Sequence, residues 1–514
     1  MTNPSPNTQT NRPHEATAAE VPAPGFAPDL LIGIDRGRRD LRAQLERGLR
    51  DAIQEGRLPV GTVLPPSRTL ARELTLARSV VVEAYSQLAA EGYLHSRQGS
   101  ATRVLARSDP PQRQDLPSAQ GDSVSALFQA SLPDQGSFDT PAQRHGSGIR
   151  LTSGGLPDPA SFPRQAWLRH YRAVLSDQPD ASFRYPQPQG TVELRRALAG
   201  HLGRVRAVRT TPDQLLICSG FAQGLSLVCA VLRSRGVTAV AVEDPCFSYH
   251  RRLIRGAGLQ PVHVPVDEEG FVVEQLGDRA VGAVLLSPAH SYPTGAVLSA
   301  DRRAQLLDWA REKDAFIIED DYDAEFRYDR TPVGTLQGLA PDHVIYGAST
   351  SKILTPALRL GWLAAPEHLL GDLLAAKALH DLGTEAFGQL TLARLIDSGD
   401  LGRHLRRMRP VYHARRDALV HAFATYLPDA TPTGVAAGLH LFVRLPHDCD
   451  EGALVEAAGR QGLHVEGAAR HWADPRAAPP ALVIGYGALH ETTAARCVRI
   501  LATAEAEVRE SVRS

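Results

Sequence analysis

The stretch Y-G-A-S-T-S-K-I-L-T-P-A-L-R-L-G (Tyr346–Gly361) decides how this chain is read, because it holds one of only three lysines, Lys313, Lys352 and Lys377, among 56 basic residues in 514. Arginine supplies the other 53. Arginine stays charged and cannot attack an aldehyde, so a sequence that has replaced nearly every lysine by arginine keeps a lysine where an unprotonated amine is needed. Lys352 therefore reads as a chemical residue rather than a surface charge on a strand-to-helix turn.

The neighbouring motifs say which chemistry. A pyridoxal 5'-phosphate site needs a lysine to condense with the aldehyde, an acid for the pyridine nitrogen, an aromatic face over the ring and donors for the phosphate. Asp320 ends the apolar run of F-I-I-E-D-D-Y-D (Phe316–Asp323) and is the candidate acid, with Asp321 and Asp323 as alternatives; Tyr322 is placed to reach the phenolic oxygen. Phe247, in V-E-D-P-C-F, is the candidate stacking face. Ser349, Ser351 and Arg359 flank Lys352 and can converge on a phosphate dianion. S-G-F-A-Q-G (Ser219–Gly224) ends a strand and opens a helix, so the backbone N–H groups of Gly220, Phe221 and Ala222 add a helix-start anion site. Each motif alone is weak; their order and spacing together are specific.

Working outward, 43% hydrophobic content in 514 residues suits two or more domains with a large core. No run of eighteen apolar residues appears and the N-terminus lacks a signal-peptide pattern, so a cytoplasmic protein with no membrane partner is expected. Cys218, Cys229, Cys246, Cys449 and Cys497 are scattered without C-x-x-C pairing, which argues against a disulfide framework or a metal site. The net charge of -1 hides an asymmetry: Arg36 to Arg107 contains 13 arginines and 7 acidic residues, a basic excess suited to a polyanion.

The chain divides into four parts. Residues 1–30 lack periodicity and are expected to be disordered. Residues 31–106 form a compact unit: Leu41, Leu45, Leu49 and Ile53 stripe a first helix, Pro65–Ser67 opens a second, and Ser79 is the expected cap of a third that carries Val82, Tyr85, Leu88 and Ala89 on one face. A strand-turn-strand with Gln98-Gly99 at its tip completes a winged helix-turn-helix. Residues 107–148 are a polar, turn-rich linker with a brief helix at Ser123–Ala130. From 149 to 514, apolar strand-like runs at Leu215–Cys218, Ala239–Val242, Val281–Leu286, Phe316–Ile318 and Val344–Tyr346 alternate with helical stretches, predicting an α/β domain with a mainly parallel sheet, followed from about residue 395 by a smaller α+β lobe.

R-L-P-V-G-T-V-L-P-P-S-R-T-L-A-R-E-L and V-V-V-E-A-Y-S-Q-L-A-A-E-G-Y-L-H-S-R-Q-G-S resemble the GntR family of winged-helix regulators. The resemblance implies double-stranded DNA as partner and Arg68, Arg78, Ser79, Arg97, Gln98 and Gly99 as contacting positions, where a guanidinium can grip a phosphate or fork onto guanine. Two places differ from the family's pattern: the third-helix start reads Ala77-Arg-Ser-Val80, and the wing reads Gly99-Ser100-Ala101.

The larger part resembles class I aminotransferases of fold-type I, with further matching stretches at Gly155–Pro163, Arg184–Gly190 and Ser287–Gly295. In the last, where many aminotransferases carry an asparagine on the cofactor oxygen, this chain presents His290. Together the two halves resemble the MocR subfamily of GntR regulators. That implies a homodimeric, pyridoxal phosphate-dependent transcription regulator sensing the cofactor itself or an amine or amino-acid ligand through Lys352, the enzyme-like domain serving as sensor; the alternative is a working aminotransferase with an accessory DNA-binding head. The family's carboxylate-clamping arginine in a late strand is replaced here by Val483, with Arg444 and Arg470 as candidate substitutes.

Overall fold

The computed structural model describes residues 33–35, 37, 40–90, 93–95, 101–104, 148–151, 155–328 and 334–513, in two compact units divided at Gly121 and Asp122. The segment 1–30, all but the last residue of the expected linker, and Arg97, Gln98 and Gly99 at the wing tip lie outside the described residues.

In the N-terminal unit, α1 (Leu41–Gln54), α2 (Ser67–Glu73) and α3 (Arg78–Ala90) enclose one apolar cluster that includes Leu45, Leu49, Leu70, Tyr85 and Leu88. The inward stripe of α3 runs through Val81, Ala84, Tyr85 and Leu88, while Val82 is 42% exposed. The expected face was thus one residue out of register at its N-terminal end, because Val80, Val81 and Val82 are equally apolar and only the tertiary contact selects Val81. Ser79 is the second residue of α3 rather than its cap, since the helix already starts at Arg78. The Tyr85 hydroxyl donates to the Pro65 carbonyl at 2.9 Å and ties α3 to the start of α2. β1 (Leu94–His95) and β2 (Arg103–Val104) pair antiparallel as the base of the wing.

The second unit is built on an eight-stranded sheet. Its strands are β4 (Leu215–Cys218), β5 (Ala239–Asp244), β6 (Gln260–Asp267), β7 (Gly270–Phe271), β8 (Ala283–Leu286), β9 (Phe316–Asp320), β10 (Val344–Ser349) and β11 (Gly361–Ala364), ordered β4-β11-β10-β9-β8-β5-β6-β7. β10, β9, β8, β5 and β6 run parallel; β11 is antiparallel to both its neighbours, and β7 returns from β6 as a hairpin. The central strands are apolar on both sides because helices cover both faces. One face packs on Leu225, Val228, Leu232, Leu369 and Leu373, the other on Leu306, Leu307 and Ala310. Pairing of Gly347 with Asp320 sets the ends of β9 and β10 side by side. Ligand sites of open parallel sheets form at such carboxyl ends.

The smaller lobe carries a four-stranded antiparallel sheet of β12 (Thr431–Thr433), β13 (His440–Arg444), β16 (Ala481–Gly485) and β15 (Glu466–Gly467) in that order. A short parallel pair joins β3 (Ile149–Arg150) to β14 (Leu463–His464), so the lobe recruits residues from the start of the unit that a boundary near residue 395 overlooks. One apolar cluster runs from Leu215, Ile217, Tyr346 and Trp362 of the large sheet to Leu441, Ile484 and Tyr486 of the lobe. Among the described residues no helix is long and apolar enough to cross a membrane.

Candidate functional site

A cavity of about 220 Å³ opens at the carboxyl ends of β4, β5, β8, β9 and β10. It brings together Lys352, Asp320, Tyr322, Phe247, Ser349, Ser351, Arg359, Phe221 and Ala222, nine of the eleven residues singled out around the lysine. The other two stand just behind its wall.

Gly220 is the first of them. Its backbone (φ 85, ψ 167) belongs to a region open essentially to glycine alone, and a Cβ there would lie 2.8 Å from Arg359 Nη2. The glycine lets the guanidinium lie flat on the start of helix Phe221–Ser234. Arg359, itself left-handed at φ 51, donates from Nη2 to the Ser219 carbonyl at 2.7 Å. Ser349 Oγ accepts from the Ser351 N–H at 3.3 Å. A guanidinium, two hydroxyls and open helix-start N–H groups thus face one end of the cavity.

His290 is the second. It does not line the cavity: its Nδ1 lies 2.9 Å from Asp323 Oδ2 and 3.1 Å from the Tyr322 hydroxyl, and its ring stacks behind that of Tyr322. Gly438 makes the room, since a Cβ there would come within 2.5 Å of His290 Cε1. The polar contacts that His290 makes in the structure are thus to Asp323 and Tyr322.

The three candidate acids separate by their partners. Asp321 receives Nε and Nη2 of Arg206 at 2.7 and 3.0 Å and the Tyr346 hydroxyl at 2.8 Å. Asp323 is taken up by His290. Asp320 lines the cavity, is buried, and its Oδ1 has no hydrogen-bond partner among the described residues. Burial pushes its carboxyl well above the ordinary carboxylate range, and the charges of Asp321, Asp323 and Glu243 push it further. A buried acceptor of this kind calls for a donor, and a protonated pyridine nitrogen is a fitting one.

Lys352 follows β10 in the turn Thr350–Ile353. Burial lowers its amine to about 8, against the opposing pull of Asp323 and Asp320. At neutral pH a usable fraction is therefore the free base.

Sequence reading passed over several wall residues. His250 lies 3.7 Å from Asp320 Oδ2, and burial and then Arg251 lower it to about 4, so it faces the acid as a neutral ring. Its signal was the spacing, three residues after Phe247 on helix Ser248–Gly256, which turns both rings to one side; they meet edge to face at 5.4 Å. Glu243, raised to about 7 by burial, holds the Ser287 N–H at 3.1 Å; its only sequence signal was an acid at the end of an apolar strand. Tyr292 packs edge to face on Phe247 at 5.7 Å.

Val483 is fully buried in β16 within an apolar cluster of Tyr292, Phe442, Ala468 and Ala481, against which Phe247, Tyr322 and Trp472 pack. Arg444 lines a different cleft with His447 and Trp472, and Arg470 pairs with Glu466 at 3.4 Å. Neither lines the cavity, where among the described residues Lys352 and Arg359 are the only basic side chains besides the neutral His250. In the N-terminal unit Arg68, Arg78 and Ser79 are exposed at the starts of α2 and α3.

Comparison with known proteins agrees with both units. Residues 147–468 match the family "Aminotransferase class I and II", and residues 41–104 match "Bacterial regulatory proteins, gntR family". The HTH-type pyridoxine biosynthesis transcriptional regulator PdxR of Corynebacterium glutamicum is 32% identical over 451 residues, covering 88% of this chain and 92% of that protein. The probable rhizopine catabolism regulatory protein MocR of Rhizobium meliloti is 29% identical over 459 residues, covering 88% and 91%. Among solved structures, the kynurenine aminotransferase of Pyrococcus horikoshii in complex with PMP superimposes with a TM-score of 0.65 at 26% identity, covering 75% of this chain and 94% of that one. With its gntR-type head, its aminotransferase-like domain and relatives of the same build along nearly their whole length, the chain belongs to the MocR-like, pyridoxal phosphate-dependent transcription regulators.

Proposed function

We propose that pyridoxal phosphate is not only the cofactor of this regulator but the ligand it senses, and that its presence at Lys352 sets how the head binds DNA. The observation that carries this is the pairing, in one cavity, of an amine lowered to about 8 with a buried aspartate oxygen lacking a partner, beside a clamp position occupied by Val483. When bound, pyridoxal phosphate supplies an aldehyde that condenses with a primary amine and a ring that withdraws electrons.

The chain's own residues take the following parts in this reading. Lys352 offers its amine in the unprotonated form. Asp320 accepts the hydrogen bond of the pyridine nitrogen and keeps that nitrogen protonated; neutral His250 beside it adds no competing charge. Phe247 covers the ring, and Tyr322, oriented by His290 and Asp323, donates to the phenolic oxygen. Arg359, Ser349, Ser351 and the N–H groups of Gly220, Phe221 and Ala222 hold the phosphate dianion. An amino-acid carboxylate finds no cation at Val483, which weighs against amino-acid turnover as the physiological role. Arg68, Arg78 and Ser79, with Arg97, Gln98 and Gly99 of the wing, contact an operator duplex in a cytoplasmic homodimer.

The test is to load the purified protein with pyridoxal phosphate, reduce with borohydride and map the peptides, while measuring operator binding with and without the cofactor. The reading expects label on Lys352 and a shifted binding curve. Label on Lys313 or Lys377, or a curve that ignores the cofactor, contradicts it.

A further inference from the structure

Lys377 has no exposed side-chain surface, in a chain that uses arginine for nearly every cation. It lies in helix Glu367–Asp381, and its Nζ donates to both oxygens of Asp381 at 2.6 Å and to Thr384 Oγ1 at 2.9 Å. Three short bonds from one nitrogen suit a compact ammonium; the planar fork of arginine is longer and directs its donors differently.

The network does not end there. Asp381 Oδ2 also accepts from Gln223 Nε2 at 2.7 Å, and Gln223 Oε1 accepts from the Ser219 N–H at 2.7 Å. The Ser219 carbonyl, on the far side of the same residue, accepts from Arg359 Nη2 at 2.7 Å. Thr384 Oγ1 in turn donates to the Ile217 carbonyl at 3.4 Å. The end of β4 is therefore held at Ile217 and at Ser219 by groups that converge on Lys377. Burial alone would raise the Asp381 carboxyl, yet the bonds from Lys377 and Gln223 hold it below the ordinary carboxylate range.

We propose that Lys377 is a positioning residue for the phosphate-binding end of the cavity: through Asp381 and Gln223 it fixes Ser219, and through Ser219 it fixes the Arg359 guanidinium and the helix-start N–H groups of Phe221 and Ala222. The proposal rests on the reading of those groups as the phosphate holders. Removing the ammonium leaves Asp381 charged with only the Gly383 N–H and Gln223 as partners, so Gln223 is drawn toward the carboxylate and the Ser219 N–H loses its acceptor.

The experiment compares full-length wild type, Lys377→Met, Gln223→Leu and the double variant for binding of pyridoxal phosphate and of pyridoxal, which lacks the phosphate. Lys377→Met is expected to weaken pyridoxal phosphate about tenfold, the factor for one lost or unsatisfied buried hydrogen bond, and to leave pyridoxal unchanged. Gln223→Leu, which cuts the same path while keeping the Lys377–Asp381 pair, is expected to do the same, and the double variant to add little to either. Equal losses for both ligands, or unchanged pyridoxal phosphate binding, overturn the proposal; should Lys377→Met fail to fold, Gln223→Leu decides by the same two outcomes. A wild type that binds both ligands equally overturns the phosphate-site reading itself, and the proposal with it.

Discussion

Replacing Gly220 by alanine tests the phosphate end of the cavity with a single methyl group. The backbone at φ 85, ψ 167 disfavours any side chain. Holding alanine there costs about 1–3 kcal/mol. The new Cβ would also lie 2.8 Å from Arg359 Nη2, 3.0 Å from its Cζ and 3.1 Å from Nη1, so the whole guanidinium must lift. Lifting it breaks the 2.7 Å bond to the Ser219 carbonyl, and a hydrogen bond to a charged group is worth about 1.5–3 kcal/mol. A unit of this kind has about 5–15 kcal/mol in hand, so Gly220→Ala remains folded. Chemical denaturation should show a loss of at least the strain, about 1–3 kcal/mol, with the broken bond adding to it, and an absorbance titration should show pyridoxal phosphate affinity down by about tenfold or more, at 1.4 kcal/mol per decade. Wild-type affinity with lowered stability would mean that Arg359 has no part in holding the phosphate; wild-type values of both would refute the conformational argument too.

Three further outcomes follow from the geometry. The Lys352 amine, lowered to about 8, attacks only as the free base, so the rate of cofactor uptake should climb with pH, reach half its maximum near 8 and level off above that; a climb continuing past pH 10 would mark an ordinary, solvated lysine. Val483→Arg puts a cation among Tyr292, Phe442, Ala468 and Ala481 without a partner, and denaturation should reveal a loss of about 3–5 kcal/mol; a fully stable variant would mean the slot opens to the cavity or to solvent. Arg78→Ala should lower operator affinity and reduce the slope of log affinity against log salt by about 0.9 if Arg78 neutralises one phosphate, and an unchanged slope with unchanged affinity would turn α3 away from the duplex.

The chemistry of the site was legible because its parts sit in contiguous motifs at strand ends: Asp320 closes β9, Lys352 follows β10, its neighbour in the sheet, and Ser219–Ala222 follow β4. Strand neighbours and turn glycines are local signals. The choice among Asp320, Asp321 and Asp323 was not local, since it depends on Arg206, Tyr346 and His290, the first of them 115 residues from Asp321. For the same reason β11 escaped notice: four residues inserted antiparallel between β4 and β10 carry no periodicity of their own. β6 was missed because Pro261 and Pro265 argue against a strand, although next to the sheet's short edge hairpin they are accommodated. The clamp of Arg251 on the carbonyls of Arg470, His471 and Trp472, which fastens the smaller lobe beside the cavity, joins residues about 220 apart and leaves no trace in either segment alone.

The most direct test of the central claim is operator binding by wild type and Lys352→Ala, each titrated with pyridoxal phosphate at fixed salt. The account predicts that the cofactor displaces the wild-type binding curve and leaves that of Lys352→Ala, folded and with its head intact, where it was without cofactor. The same displacement in both proteins, or none in the wild type, would contradict it.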